Sequence, residues 1–165
     1  MNHLVISCIG PDKTGLVDSL SKIISDHQGN WQVSSLHHLS GFFAGVIEVA
    51  VDESHCQHLI AALTTMSELN CQIELAEQDS PQVSTSLQLE LTANDRAGII
   101  QEISSVIHQQ GGNLIKLVSS QASAPHTGQL MFNAKVQVAM NEADLDELVA
   151  ALEHIADDLM VDISR

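Results

Sequence analysis

A short phrase occurs twice in the chain, as Asp12-Lys13-Thr14-Gly15-Leu16-Val17 and as Asp95-Arg96-Ala97-Gly98-Ile99-Ile100, 83 residues apart. Each copy follows an apolar run that reads as a strand and opens an apolar stripe at helical spacing; each is followed about a dozen residues later by Gly-Asn, at Gly29-Asn30 and Gly112-Asn113. A repeat of this length means one supersecondary plan built twice. For 165 residues it selects two small domains over one of ordinary size. Domains so small bury only about 60% of the surface of their unfolded chains, so the halves are expected to pack on each other, within a larger oligomer.

The first strand of each copy reads as Leu4 to Ile9 and as Leu87, Leu89 and Leu91, the second alternating cleanly with Gln88, Glu90 and Thr92. The helices that follow carry Leu16, Val17, Leu20, Ile23 and Ile24 in one half, and Ile99, Ile100, Ile103, Val106 and Ile107 in the other. That spacing buries one stripe against a sheet. Gly29 and Gly112 are expected to supply the left-handed residue ending each helix. A strand pair follows, Trp31 to Leu39 with Phe43 to Val51 and Leu114 to Gln121 with Gln129 to Met140. The first pair turns at Ser40-Gly41, and the second has about six extra residues around Pro125. Second helices are opened by Asp52 and Asn141, and last strands run from Cys71 to Glu77 and from Met160 to Ser164. The order strand, helix, strand, strand, helix, strand is the ferredoxin-like βαββαβ plan, an α+β fold with two helices on one face of an antiparallel sheet. The expected domains are 1–77 and 87–165, with a polar linker at 78–86. Sheets joined edge to edge and sheets packed face to face both suit this pattern.

Twenty-one acidic residues against six basic ones, none adjacent, give a net charge of −15. A phosphate backbone demands a clustered positive footprint, so this balance argues against direct binding of nucleic acid or anionic lipid, and a regulatory role would pass through a protein partner. Cys8, Cys56 and Cys71 are odd in number and lack a CxxC spacing, so they read as reduced, packed thiols. The one N-terminal apolar run is too short for a signal segment or a bilayer span, and a cytoplasmic location is expected.

The strand-to-helix loop is where chemistry is expected. Gly10 and Gly15 allow a tight bend, Asp12 can cap the helix start, and that start offers unpaired N–H groups suited to a carboxylate. Asn30 and Asn113 add a donor and an acceptor each. A free amino acid needs both kinds of partner, although the same Asp-x-x-Gly pattern also fits an ordinary capped helix start. His37-His38 and the group Asp52, His55, Cys56, His58 contain metal-ligating types, yet no spacing supplies a complete set, and neither a metal nor a cofactor is expected. Ser34-Ser35 and Ser119-Ser120 are taken to correspond in the second strands, and nothing in the sequence places a base beside them, so no catalytic residue is assigned.

With Gly10-Pro11 ahead of the first phrase and Ala93-Asn94 ahead of the second, these loops and their Gly-Asn pairs resemble the opening of ACT domains, small regulatory modules that often sense amino acids. Two such modules and nothing else resemble the glycine cleavage system transcriptional repressor family. The resemblance implies a non-enzymatic sensor of a small amino acid, glycine among them, acting on transcription through a partner such as a transcriptional activator. By position, it implies ligand contacts from Asp12 and Asn30 in the first copy and from Asp95 and Asn113 in the second, across a module interface. Where such sites have Asn in the loop, this chain has Asp12 and Asp95, which repel a carboxylate and hold an ammonium. Asn94 then stands ready as the neutral contact, and the N–H groups of Gly15, Leu16, Gly98 and Ile99 as carboxylate donors. The alternative is an interaction module of the same fold with no live pocket.

Overall fold

A computed structural model describes residues 1–77 and 85–164. The chain divides into two compact units, Met1–Pro81 and Gln82–Arg165. Of the expected linker, residues 78–84 lie outside the described residues, and Ser86 already opens a strand.

The first unit runs β1 (Asn2–Pro11), α1 (Leu16–Asp26), β2 (Asn30–Leu39), β3 (Phe42–Val51), α2 (Glu53–Thr64) and β4 (Asn70–Ala76). The second repeats this with β5 (Ser86–Asn94), α3 (Ile99–Gln109), β6 (Asn113–Ser123), β7 (Leu130–Ala139), α4 (Leu145–Glu153) and β8 (Met160–Ser164). Their sheets are ordered β2-β3-β1-β4 and β6-β7-β5-β8, with every pairing antiparallel. Both units are therefore ferredoxin-like, as the repeat implied.

Alternation along the central strands decides which face is dry. Leu4, Ile6 and Cys8 of β1, and Leu87, Leu89, Leu91 and Ala93 of β5, are buried beneath the helices. The helices meet them with Leu16, Leu20 and Ile24 from α1 and with Ile99, Ile103 and Ile107 from α3, the same three positions at i, i+4 and i+8. Each fully buried Leu or Ile among them contributes about 1.5–3 kcal/mol relative to exposure. Val17, expected in the stripe, instead faces solvent at 45% exposure, because it falls beyond the edge of the contact arc. α2 contributes Cys56, Leu59 and Leu63, and α4 contributes Leu145, Leu148 and Leu152.

Both first helices end alike, one residue earlier than their Gly-Asn pairs suggested. The residue with positive φ is Gln28 (58°) in the first unit and Gly111 (78°) in the second, not Gly29 or Gly112. The N–H of Gly29 donates to the Ile24 carbonyl at 2.8 Å and that of Gln28 to Ser25 at 3.0 Å; Gly112 donates to Ile107 at 2.9 Å and Gly111 to His108 at 3.1 Å. These paired bonds are Schellman closures. Gly29 and Gly112 are required for a different reason: a Cβ would come within 2.9 Å of Ile24 Cγ2 in one and 2.9 Å of Val138 Cγ1 in the other. At the second helices, Asp52 holds the N-cap position without a side-chain bond, while Asn141 precedes a 3-10 turn, Glu142–Asp144, that delays α4 to Leu145.

Candidate functional site

Counting from Asn30 and Asn113, β2 and β6 carry the same bulge, between Trp31 and Val33 and between Leu114 and Lys116. The two strands therefore stay in step, and each residue of the first loop has a counterpart 83 positions on. Asp12 donates its N–H to the Gly41 carbonyl at 2.9 Å, and Asp95 does the same to Leu130 at 3.0 Å. The loop is thus tied to the start of the third strand in each unit. Neither aspartate caps its helix. Gly15 and Gly98 hold the N-cap positions at φ 85° and 84°, with no side-chain cap. Their carbonyls accept the N–H of Ser19 and Glu102, which leaves the first-turn amides 16–18 and 99–101 without a side-chain cap.

The carboxylates instead reach the second strand. Asp12 lies 3.6 Å from His38 Nε2, and Asp95 accepts a hydrogen bond of 2.5 Å from Gln121 Nε2. His38 and Gln121 are counterparts, opposite Phe43 and Phe132 in their ladders. This contact was not read from the sequence; equal spacing of 26 residues between loop and second strand in both copies was the signal available.

Cations differ between the units. Lys13 donates to Glu68 at 2.7 Å in the first. Arg96 donates through both terminal nitrogens to Glu102 in the second, a bond that holds the Glu102 carboxyl below its ordinary range and raises the guanidinium. Asp158, at the position corresponding to Glu68, accepts the Asn94 N–H at 2.6 Å, a bond that Pro11 cannot make in the first unit.

In the second unit an open cleft of about 460 Å³ lies against this loop, lined among others by Asp95, Arg96, Gly98, Ile99, Ser119 and Gln121, with Phe132 at its base. Three of the residues singled out in the sequence, Asp95, Gly98 and Ile99, are therefore together. Asn94 is not in the lining: alternation along β5 turns it away from the helix-covered face. Asn30 and Asn113 open β2 and β6 opposite Ala50 and Ala139, at the far end of each sheet. Nine residues of strand separate these levels from Asp12 and Asp95, roughly 30 Å at about 3.3 Å per residue. Within one unit, loop and asparagine share no site.

The serine correspondence requires correction. Register pairs Ser119 with Ala134 as it pairs Leu36 with Gly45, so Ser119-Ser120 match Leu36-His37, while Ser34-Ser35 match Leu117-Val118. Matching by residue type had missed the ladder. Leu36 packs against the first core, where Ser119 leaves the second cleft open. Among the histidines, His37 meets the Ser35 hydroxyl at 3.0 Å and His55 that of Ser54 at 3.1 Å, and Cys56 is buried in the core. Among the described residues no group of three or more His, Cys, Asp or Glu is placed to hold a metal, and no helix is long and apolar enough to cross a membrane.

This strand-loop-helix arrangement has known relatives. Residues 2–76 match the ACT domain family model. The second unit repeats the topology of this ACT-like module and its loop geometry. Over the whole chain the fold is similar to that of an unknown protein from Galdieria sulphuraria, at 25% identity, 99% coverage of this chain, 97% of that one and a TM-score of 0.77. It is also similar to that of a proposed glycine cleavage system transcriptional repressor, at 15% identity, 99% and 96% coverage and a TM-score of 0.71. No curated protein matches the sequence. The ACT family model thus matches the first unit, and the likeness of fold runs along the whole chain.

Proposed function

We propose that the protein is a non-enzymatic regulator that binds a small amino acid in the cleft of its second module and passes that state to a protein partner controlling transcription. The observation that carries this reading is the convergence, around one cleft, of a carboxylate (Asp95), a guanidinium (Arg96), small hydroxyls and an uncapped helix start. An amino acid zwitterion needs those opposed groups. The amides of Ile99 and Ile100, with Arg96 released from Glu102, receive its carboxylate, and Asp95, released from Gln121, holds its ammonium. Asn113 would reach such a ligand only from a neighbouring copy of the module, and so would Asn30 for a ligand at Asp12, Gly15 and Leu16.

Glycine is the first ligand to test, because the likeness to a proposed glycine cleavage repressor points there. The excess of acidic residues supports action through a protein partner instead of on DNA. Regulation follows by linkage: the ligand alters the partner's affinity only by its differential affinity for two states of the protein, and the effect is reciprocal.

For the first module the second reading, an interaction module with no live pocket, has its own observation: Leu36 occupies the level that Ser119 leaves open. Calorimetric titration of the purified chain with the common amino acids tests both readings. One binding event per chain, lost in Asp95→Ala and unchanged in Asp12→Ala, is the expected result; no heat from any of them at millimolar concentration would end the sensor reading.

A further inference from the structure

We infer that the uncovered face of the first module's sheet is an interaction surface for a second copy of this chain, seated on the uncovered face of that copy's second module. This goes beyond the ligand reading and does not depend on it.

The two uncovered faces are unlike. On the first, Val5, Ile9, Val33 and Val46 are 41–65% exposed and lie on neighbouring strands, opposite the face that the helices cover. Cross-strand pairing sets Val33, Glu48, Val5 and Glu74 in a single row, so two carboxylates stand among exposed valines. Glu48 and Glu74 sit on strands separated by one other, about 10 Å apart at ~4.8 Å per strand. Glu48 has a local partner in His3, at 3.2 Å.

In the second module the positions of Val33 and Val46 carry Lys116 and Lys135, while those of Glu48 and Glu74 carry Gln137 and Ser164. Val118 opposes Lys135, and Lys116 opposes Gln137, so the two ammonium groups belong to diagonal neighbours flanking one exposed valine. Diagonal neighbours lie ~7–8 Å apart, a spacing that long side chains adjust to meet two carboxylates. Shallow depressions of about 190 and 240 Å³ on this face are both lined by Lys135 and Val118.

Availability of charge makes the pairing specific. Lys13 and Lys22 are held by Glu68 and Asp26 at 2.7 Å each, and Arg96 is held by Glu102. Lys135 is only 3.9 Å from Glu90, and Lys116 forms no ion pair among the described residues. Asp162 and Glu90 share that face and limit its net charge. In a chain with net charge −15, it still holds, among the described residues, the lysines and arginines least committed to local partners. The complementary surface is a carboxylate-bearing apolar face, and every copy supplies one. When the first module of one copy meets the second of another, a two-fold axis repeats the contact and closes a dimer.

Charge reversal tests this on the full chain by sedimentation equilibrium. The unaltered protein is expected to dimerise; Glu48→Lys with Glu74→Lys in one variant, and Lys116→Glu with Lys135→Glu in another, should each weaken the dimer at least tenfold. An equimolar mixture of the two variants should associate, since each reversed face then meets its opposite. The neutral pair Glu48→Gln with Glu74→Gln, checked for folding by circular dichroism, should weaken association without reversing it. A wild-type monomer at all concentrations, a dimer indifferent to both reversals, or folded variants that fail to associate when mixed would each overturn the proposal.

Discussion

Leu36 lies against Gly45 so closely that a Cβ on the glycine would stand 2.7 Å from Leu36 Cδ2 and 2.2 Å from the Ser35 carbonyl. In the second module the same ladder position pairs Ser119 with Ala134. One side chain thus packs on the core of its unit where its counterpart lines the cleft beside a loop of equal geometry.

Exchange at this position should move binding without moving stability. Ser119 is exposed, so Ser119→Leu should fill the cleft and abolish the heat of amino acid binding, while the unfolding free energy from urea titration changes by less than about 0.5 kcal/mol, as for surface changes generally. Binding that survives this substitution would place the ligand elsewhere. Gly45→Ala should instead destabilise the first module by about 1–3 kcal/mol, because the Ser35 carbonyl it meets is backbone of the paired strand and must shift to make the room that Ala134 has in the second module.

The ends of α1 and α3 offer a comparison within one molecule. Gln28 takes the left-handed conformation that Gly111 takes in the second copy. A residue with a Cβ loses about 1–2 kcal/mol there. Gln28→Gly should therefore raise stability by roughly 0.5–1 kcal/mol, part of the relief being offset by the greater freedom of glycine in the unfolded chain. Gly111→Gln should lower it by a similar or larger amount. Chemical denaturation of both variants checks the sign; destabilisation by Gln28→Gly would show that the glutamine side chain holds the turn.

Two kinds of signal made the fold legible. Alternation at Leu87, Leu89 and Leu91 and the i, i+4, i+8 positions Leu16, Leu20 and Ile24 depend only on the period of the backbone, which tertiary contacts do not alter. The repeated loop fixed their order. What stayed hidden depends on pairing across the sheet. The contacts Asp12–His38 and Asp95–Gln121 join residues 26 apart, and the difference between Leu36 and Ser119 acquires meaning only once the shared bulge sets their register. The left-handed residue was placed one position late because a glycine stood in both copies at Gly29 and Gly112. There, close approach of Ile24, or of Ile107 and Val138, is what excludes a side chain.

Cys71 gives the protein an alkaline limit. It pairs with Cys8 across β1 and β4, and burial, followed by the neighbouring thiol, pushes it from 9.0 to about 11; burial raises Cys8 as well. Below pH 9 both the folded and unfolded thiols are protonated, and stability does not depend on them. Between 9 and 11 the unfolded thiol ionises while the folded one keeps its proton, so the unfolded state binds fewer protons and stability falls as pH rises. Denaturation midpoints measured from pH 8 to 11 should therefore decline, and Cys71→Val should flatten part of that decline while leaving the midpoint at pH 8 little changed. Both thiols should also resist alkylation at pH 8 in the folded protein, since the thiolate is the reactive form. Rapid modification of Cys71 at that pH, or a decline of unchanged slope in Cys71→Val, would mean that the thiol is more open to water than its place opposite Cys8 implies.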